Sequence, residues 1–116
     1  MSRSTKRGNI NFIDYTPPTT TGYIYKITSD EGKVYIGSTN NYIARFENHK
    51  KDLDSSPLHQ AIQHKGADKF KFEMIDEVEY IDIEQLHILE SVYMDKFNSI
   101  SCGFNTKHSI SMFDLF

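Results

Sequence analysis

Residues 21–39 read TGYIYKITSDEGKVYIGST, two alternating runs on either side of a polar break. "YIYKI" and "KVYIG" each alternate large, strand-favouring side chains, and "SDEG" between them is turn chemistry, so the segment predicts a β-hairpin. A pairing centred on Asp30 sets Tyr25 directly opposite Tyr35, on one face of the hairpin. A slip of one residue would part them. Tyr23 points to the same face by alternation but lies farther along the strand, where it packs. Tyrosines on a hairpin ordinarily pack with a wet hydroxyl. The other reading is that two phenols are placed side by side for chemistry.

Downstream, "STNNYIARFENHKKDL" offers Ser or Asn caps followed by Tyr42, Phe46, His49 and Leu53 at three- and four-residue spacing, which predicts an amphipathic helix. "SSPLHQAIQHKG" predicts a short second helix, with Ser56 as cap, Pro57 in the first turn and Gly66 as stop. "KFKFEMIDEV" alternates Phe70, Phe72 and Met74 against lysines and a glutamate and predicts a third strand. "DIEQLHILESVYMDKF" then predicts a third helix, whose apolar stripe is Leu86, Leu89, Tyr93 and Phe97, widened by Ile88 and Val92. "SCGFNT" closes the domain in a turn around Gly103. The final "SISMFDLF" is apolar and short, and docks on the domain or on a partner.

The chain of 116 residues has room for one domain, and 38% apolar with 25% charged residues is a globular composition. No apolar run reaches the ~18 residues of a membrane span, so no membrane partner is expected. The basic start lacks the apolar stretch of a secretory signal. A single cysteine, Cys102, excludes an internal disulfide framework and a cysteine-based zinc cluster. An intracellular setting is expected, cytoplasmic, or nuclear if the source is eukaryotic or viral. A formal net charge of -3 argues against a strongly basic nucleic-acid binder, although a local cationic patch is compatible with an acidic total. Residues 1–20, with a Pro-Pro pair at Pro17 and Pro18, read as an extended polar and basic arm.

Two groups break the local pattern. Glu90 stands beside Leu89, four residues from Leu86 and Met94, at the edge of the apolar stripe. A carboxylate there is either a boundary residue paired with a lysine or arginine, or a metal ligand. A hard oxygen with no His or Cys companions suits Mg²⁺, which keeps most of its waters. Arg45 and His49 lie one helical turn apart, either on a solvated face or near the boundary where the helix meets the hairpin. In the second position an arginine clamps a phosphate in a planar two-point contact that lysine does not reproduce.

Taken together and in order, these residues resemble the GIY-YIG nuclease family. The first triplet is Tyr23-Ile24-Tyr25, with Gly22 one place earlier and Tyr23 where the name-giving glycine would stand. The second is Tyr35-Ile36-Gly37. "ARFENH" resembles the family's Arg-x-x-x-His helix, giving Arg45 and His49, and "LHQAIQHKGADKFKFEMIDEV" is similar to the segment carrying a short helix, a glycine and the third strand. His59 falls where many members have a tyrosine or histidine. Glu90 matches the metal-binding glutamate, and Asn105 in "CGFNT" matches the asparagine that closes the domain. The resemblance runs from Thr21 to about Lys107.

It implies an α/β (α+β) fold, a small three-stranded antiparallel sheet flanked by helices, with arm 1–20, catalytic domain 21–108 and tail 109–116. It also implies DNA phosphodiester hydrolysis with one Mg²⁺ or Mn²⁺ ion, leaving a 5′-phosphate and a 3′-hydroxyl. In that reading Glu90 holds the ion, and Tyr35 is the general base, acidified by nearby positive charge. Tyr25 orients the water or shares the proton, Arg45 neutralises phosphoryl charge, and His49 orients Tyr35 or assists the proton transfer. Gly37 lets the backbone approach the following helix, Asn105 secures backbone geometry, and His59 stands near the site. Arg3, Lys6 and Arg7 on the arm, with Lys50, Lys51, Lys65, Lys69 and Lys71, either track the DNA phosphates or are solubilising charges. With no base-reading module following the domain, a standalone catalytic domain is expected, its specificity supplied by DNA structure, a protein partner or dimerisation. The alternative is a catalytically silent domain of the same fold that binds nucleic acid or protein.

Overall fold

The computed structural model describes residues 18–51 and 54–106, and residues 1–17, 52–53 and 107–116 lie outside the described set. The greater part of the expected arm, with Arg3, Lys6 and Arg7, the continuation of the first helix to Leu53, and the tail at 109–116 therefore fall outside it.

Strand β1 (Thr20–Ser29) and strand β2 (Val34–Thr39) form the expected antiparallel hairpin. Its register differs from the one centred on Asp30: Tyr25 pairs with Gly37, and Ile27 pairs with Tyr35. Gly32 is the cause. At φ 85° it takes the left-handed conformation that closes a three-residue turn, with the Ser29 N–H donating to the Lys33 carbonyl at 2.8 Å and the Gly32 N–H to the Ser29 carbonyl at 2.9 Å. The displacement is two residues, an even number, so Tyr25 and Tyr35 remain on the same face.

Strand β3 (Phe70–Tyr80) pairs antiparallel with the other edge of β1, giving the order β2-β1-β3. The β1/β3 register slips between Ile24, opposite Asp76, and Tyr25, opposite Met74, which leaves Ile75 as the extra residue of a bulge. Phe70 and Phe72 therefore line the tyrosine face, whereas Val78 and Tyr80 line the other. Met74, expected to continue the Phe70–Phe72 stripe, is 39% exposed. Its cross-strand neighbour Tyr25 leans the other way, over Gly37, and gives it no cover.

Helices cover both faces. Helix α1 (Tyr42–Lys51) starts where the Ala44 N–H donates to Asn41 Oδ1 at 3.1 Å. Helix α2 (Pro57–Lys65) has Ser56 as cap, Pro57 in the first turn and Gly66 at its end, as the sequence indicates. A single 3-10 turn, Ala67–Lys69, leads into β3. Tyr25, Ile27, Leu58, Ile62, Phe70 and Phe104 make the core on this side. Helix α3 (Ile83–Lys96) begins with a capping box of Asp82 and Gln85 and covers the opposite face, where Ile24, Ile36, Tyr80, Leu86 and Met94 form the second core.

The face of α3 differs from expectation. The inward row is Leu86, Glu90 and Met94, with Leu89, Tyr93 and Phe97 flanking it half-buried, while Ile88 and Val92 turn to solvent and Val92 is 55% exposed. Glu90 therefore sits in the middle of the buried row and not at its edge, because a polar partner on β2 meets it there: the Ser38 hydroxyl donates to Glu90 Oε1 at 2.9 Å.

After α3 the chain returns along the outer edge of β2. The Phe104 N–H donates to the Val34 carbonyl at 2.9 Å. Asn105 acts as one more strand residue, its Oδ1 accepting from the Ile36 N–H at 2.8 Å and its Nδ2 donating to the Ile36 carbonyl at 2.9 Å. These contacts satisfy an edge that would otherwise expose unpaired backbone groups. Among the described residues no helix is long and apolar enough to cross a membrane.

Candidate active site

Tyr25 is 1% exposed, and its phenol fills the space where a side chain at Gly37 would stand. The close approach that Gly37 permits is thus that of the Tyr25 ring, not of the helix backbone. Crossing β2 in this way carries the hydroxyl to the sheet edge. There the Tyr25 and Tyr35 rings lie 6.2 Å apart between centroids, and the His49 ring stands 5.5 Å from each. Tyr23, farther along β1, packs edge-on against Tyr42 at 5.0 Å.

The hydrogen bonds are as specific as the packing. Tyr25 Oη is 2.7 Å from His49 Nε2 and accepts from Arg45 Nε at 3.3 Å. His49 Nδ1 is 2.8 Å from His59 Nε2, and His59 Nδ1 donates to Asp54 Oδ1 at 2.8 Å. The spacing of Arg45 and His49 on one face of α1 brings both to the Tyr25 hydroxyl, and Leu58 and His59 on the buried side of α2 bring the second imidazole against the first.

Burial governs the protonation of this cluster. It lifts the Tyr25 phenol well above the usual tyrosine value, aided by the neighbouring charge of Tyr35 and opposed by Arg45. The Tyr35 phenol is raised as well, by burial first, with Arg45 pulling down and Glu90 pushing up. The expected acidification of Tyr35 by positive charge is therefore not what the surroundings produce, since burial outweighs the guanidinium. The His49 imidazole is pushed down to about 3, by burial first and then by the positive charges of Arg45 and His59. It is neutral near pH 7, with one ring nitrogen free to accept.

A cavity of about 280 Å³ opens beside these groups, and Tyr35, Arg45, His49, His59, Glu90 and Asn105 are among the residues that line it. Glu90 reaches it from α3, on the opposite face of the sheet from α1 and α2. The two sides meet because β2 is an edge strand. Glu90 is 7% exposed and presents a hard carboxylate donor, held by the Ser38 hydroxyl. Among the described residues no cluster of three or more His, Cys, Asp or Glu is placed to hold a metal ion. That donor set fits Mg²⁺ or Mn²⁺ arriving with most of its own waters, and not zinc, which takes three or four protein ligands.

None of the five expected phosphate-tracking lysines among the described residues lines this cavity. Lys50 pairs with Glu47 at 3.8 Å and lies over the Phe72 ring, and Lys51 is exposed at the end of α1. Lys69 and Lys71 border a separate hollow that also contains Asp30, Asp68 and Glu73, so the charge there is mixed. Lys65 is tied to Asp30 and Glu31. Two residues of the cluster carry no signal in the sequence. Ser38 follows Gly37 on the opposite face of β2 and acquires its role only once Glu90 turns inward. Asp54 lies in a polar loop, and its partner is supplied by the fold of α2 against α1.

The chain matches a family model described as the GIY-YIG catalytic domain over residues 21–106. It is 36% identical over 92 residues to the MSV199 domain-containing protein 146R of Invertebrate iridescent virus 6, an alignment covering 75% of this chain and 36% of that protein. The chain thus spans about a third of that relative's length. Among solved structures it resembles the catalytic domain of the intron endonuclease I-TevI, in a mutant form, with a TM-score of 0.68 and 25% identity. That match covers 77% of this chain and 96% of the other.

Proposed function

Because the chain belongs to the GIY-YIG catalytic-domain family, we propose that it is a metal-dependent endonuclease that hydrolyses DNA phosphodiester bonds with one Mg²⁺ or Mn²⁺ ion. The observation that carries this reading is the convergence at one sheet edge of a buried phenol, Tyr25, a half-buried one, Tyr35, a guanidinium and a carboxylate drawn from opposite faces of the sheet. A structural core has no use for that set, since each polar group costs free energy to bury. Metal-assisted phosphodiester hydrolysis has a use for each: a proton acceptor for water, a cation for phosphoryl charge and an anionic oxygen for the ion.

Glu90, oriented by Ser38, would hold the ion. Bound there, a divalent cation supplies Lewis-acid polarisation of a non-bridging phosphoryl oxygen and stabilises the leaving 3′ oxygen. Arg45 spends one N–H on Tyr25, and its further donors face charge that builds on the phosphoryl group. Tyr35 lines the cavity whereas Tyr25 lies buried behind it, so Tyr35 is the phenol that an attacking water meets. With its pKa raised, Tyr35 is un-ionised near neutral pH. It takes the proton of water in step with handing its own toward Tyr25. Neutral His49 accepts the Tyr25 hydrogen bond and is the group to which Tyr25 yields its own proton as it receives that of Tyr35.

DNA is the substrate in this reading, in an intracellular setting, and a protein partner or dimerisation supplies specificity. One site of this kind cuts both strands through two protomers or two successive nicks. The test is incubation of the purified protein with supercoiled plasmid, single-stranded and branched DNA, with Mg²⁺ and with chelator. Nicking in Mg²⁺ that chelator abolishes is the expected result. Tight binding of DNA without cleavage of any substrate would replace the nuclease by a silent binding domain of the same fold.

A further inference from the structure

From Tyr25 a line of hydrogen bonds runs along the wall of the cavity, through His49 and His59 to Asp54. Asp54 has a pKa held down to about 2, by the Ser56 backbone and side chain first and then by His59, so it is a carboxylate that only accepts. His59 Nδ1 therefore carries a hydrogen, the 2.8 Å contact with the carboxylate outweighing the Asp54 backbone N–H that lies 3.4 Å from the same nitrogen. In the polarity proposed below, His59 Nε2 accepts from His49 Nδ1, 2.8 Å away. His49 is neutral, so its Nε2 is bare and accepts the Tyr25 O–H. One exposed carboxylate thus anchors a chain of four hydrogen-bonded residues from β1, α1, α2 and the loop before α2.

We propose that Asp54 and His59 are positioning residues of the nuclease site that take up the Tyr25 proton through His49. The inference rests on the nuclease reading and deepens it. In the step, the Tyr25 O–H bond breaks as an N–H bond forms at His49 Nε2, and the His49 Nδ1–H bond breaks as one forms at His59 Nε2. His59 becomes an imidazolium against the Asp54 carboxylate. His49 changes tautomer and never becomes charged, which its crowding by Arg45 and its burial would penalise. The Tyr25 phenolate left behind accepts from His49 Nε2–H and from Arg45 Nε–H. It can then take the Tyr35 proton as Tyr35 takes one from water. The other charged groups facing Tyr25 are Arg45 and Glu90, and the chain carries positive charge away from the first of these.

Two measurements test this. Nitrogen NMR of the imidazoles in the metal-free wild type near neutral pH is expected to find His49 protonated at Nδ1 and bare at Nε2. Asp54→Ala is expected to lose that preference. The Asp54 side chain is 68% exposed, so the substitution does not disturb a core. In cleavage assays Asp54→Asn, which keeps one acceptor oxygen but removes the charge opposite His59, is expected to lower kcat by about tenfold or more with KM for DNA unchanged. Asp54→Glu is expected to recover part of the rate. A His49 protonated at Nε2 in the wild type, or an Asp54→Asn enzyme with wild-type kcat, would overturn the proposal. A protein that cuts no DNA would refute the nuclease reading, and the tautomer measurement would still decide the polarity of the chain.

Discussion

Glu90→Gln is expected to reduce Mg²⁺-dependent cleavage by about a thousandfold, equivalent to ~4 kcal/mol of transition-state stabilisation, while the protein stays folded. The carboxylate lies in the inward row of α3 between Leu86 and Met94, and the Ser38 hydroxyl donates to its Oε1. Glutamine has the same length, and its carbonyl oxygen can accept the same hydrogen bond, so packing and the β2 contact survive. The charge does not. A Mg²⁺ ion holds its place through anionic oxygen and water, and Glu90 is the carboxylate that reaches the cavity from α3. Supercoiled-plasmid nicking and circular dichroism on the same preparation check both halves. A folded Glu90→Gln protein that nicks within tenfold of wild type would remove Glu90 from the metal site.

Arg45→Lys is expected to lower kcat by about a hundredfold or more, the scale of losing a preorganised donor to a developing oxyanion. The guanidinium does two things at once that an ammonium cannot. Its Nε donates to Tyr25 at 3.3 Å, and its planar fork keeps further donors for a phosphoryl oxygen. Lysine keeps the positive charge, so a loss of this size separates geometry from mere electrostatic attraction to DNA. Binding measured in chelator is expected to change little, because one positive charge remains. Equal kcat for Arg45→Lys and wild type would make Arg45 a general phosphate-attracting charge.

Much of this architecture is legible in local chemistry. The hairpin, the Ser56 and Gly66 boundaries of α2, the third strand and the sharing of one face by Tyr25 and Tyr35 all follow from period, caps and turn residues. What local chemistry misplaces has tertiary causes. The Asp30-centred register errs by two residues because Gly32 adopts a positive φ, a property of the closed turn. The bulge at Ile75 redirects half of β3, and nothing in "FKFEMIDEVEY" marks it.

The orientation of α3 is the more consequential case. Ile88 and Val92 carry more apolar surface than Glu90, so an apolar stripe drawn from sequence alone includes them. In the fold Glu90 is drawn inward by Ser38, a contact made across 52 residues of chain. The same holds for Asp54, whose importance appears only when α2 sets His59 against His49. Phosphate-tracking lysines were legible as charges, but the acidic neighbours Glu47, Asp30, Asp68 and Glu73 become apparent only in three dimensions. The Ser38 contact to Glu90 and the Asp54 contact to His59 are supplied by the fold, and the sequence does not display them.

The central claim is that the phenols activate water for attack on a phosphodiester, with neither tyrosine itself the nucleophile. Cleavage of an end-labelled oligonucleotide in Mg²⁺, in water enriched with a heavy oxygen isotope, tests it by mass spectrometry of the cut ends. The expected product is a 5′-phosphate carrying one heavy oxygen, opposite an unlabelled 3′-hydroxyl. A phosphate retained on Tyr25 or Tyr35, a 3′-phosphate, or no Mg²⁺-dependent cut at all would contradict it.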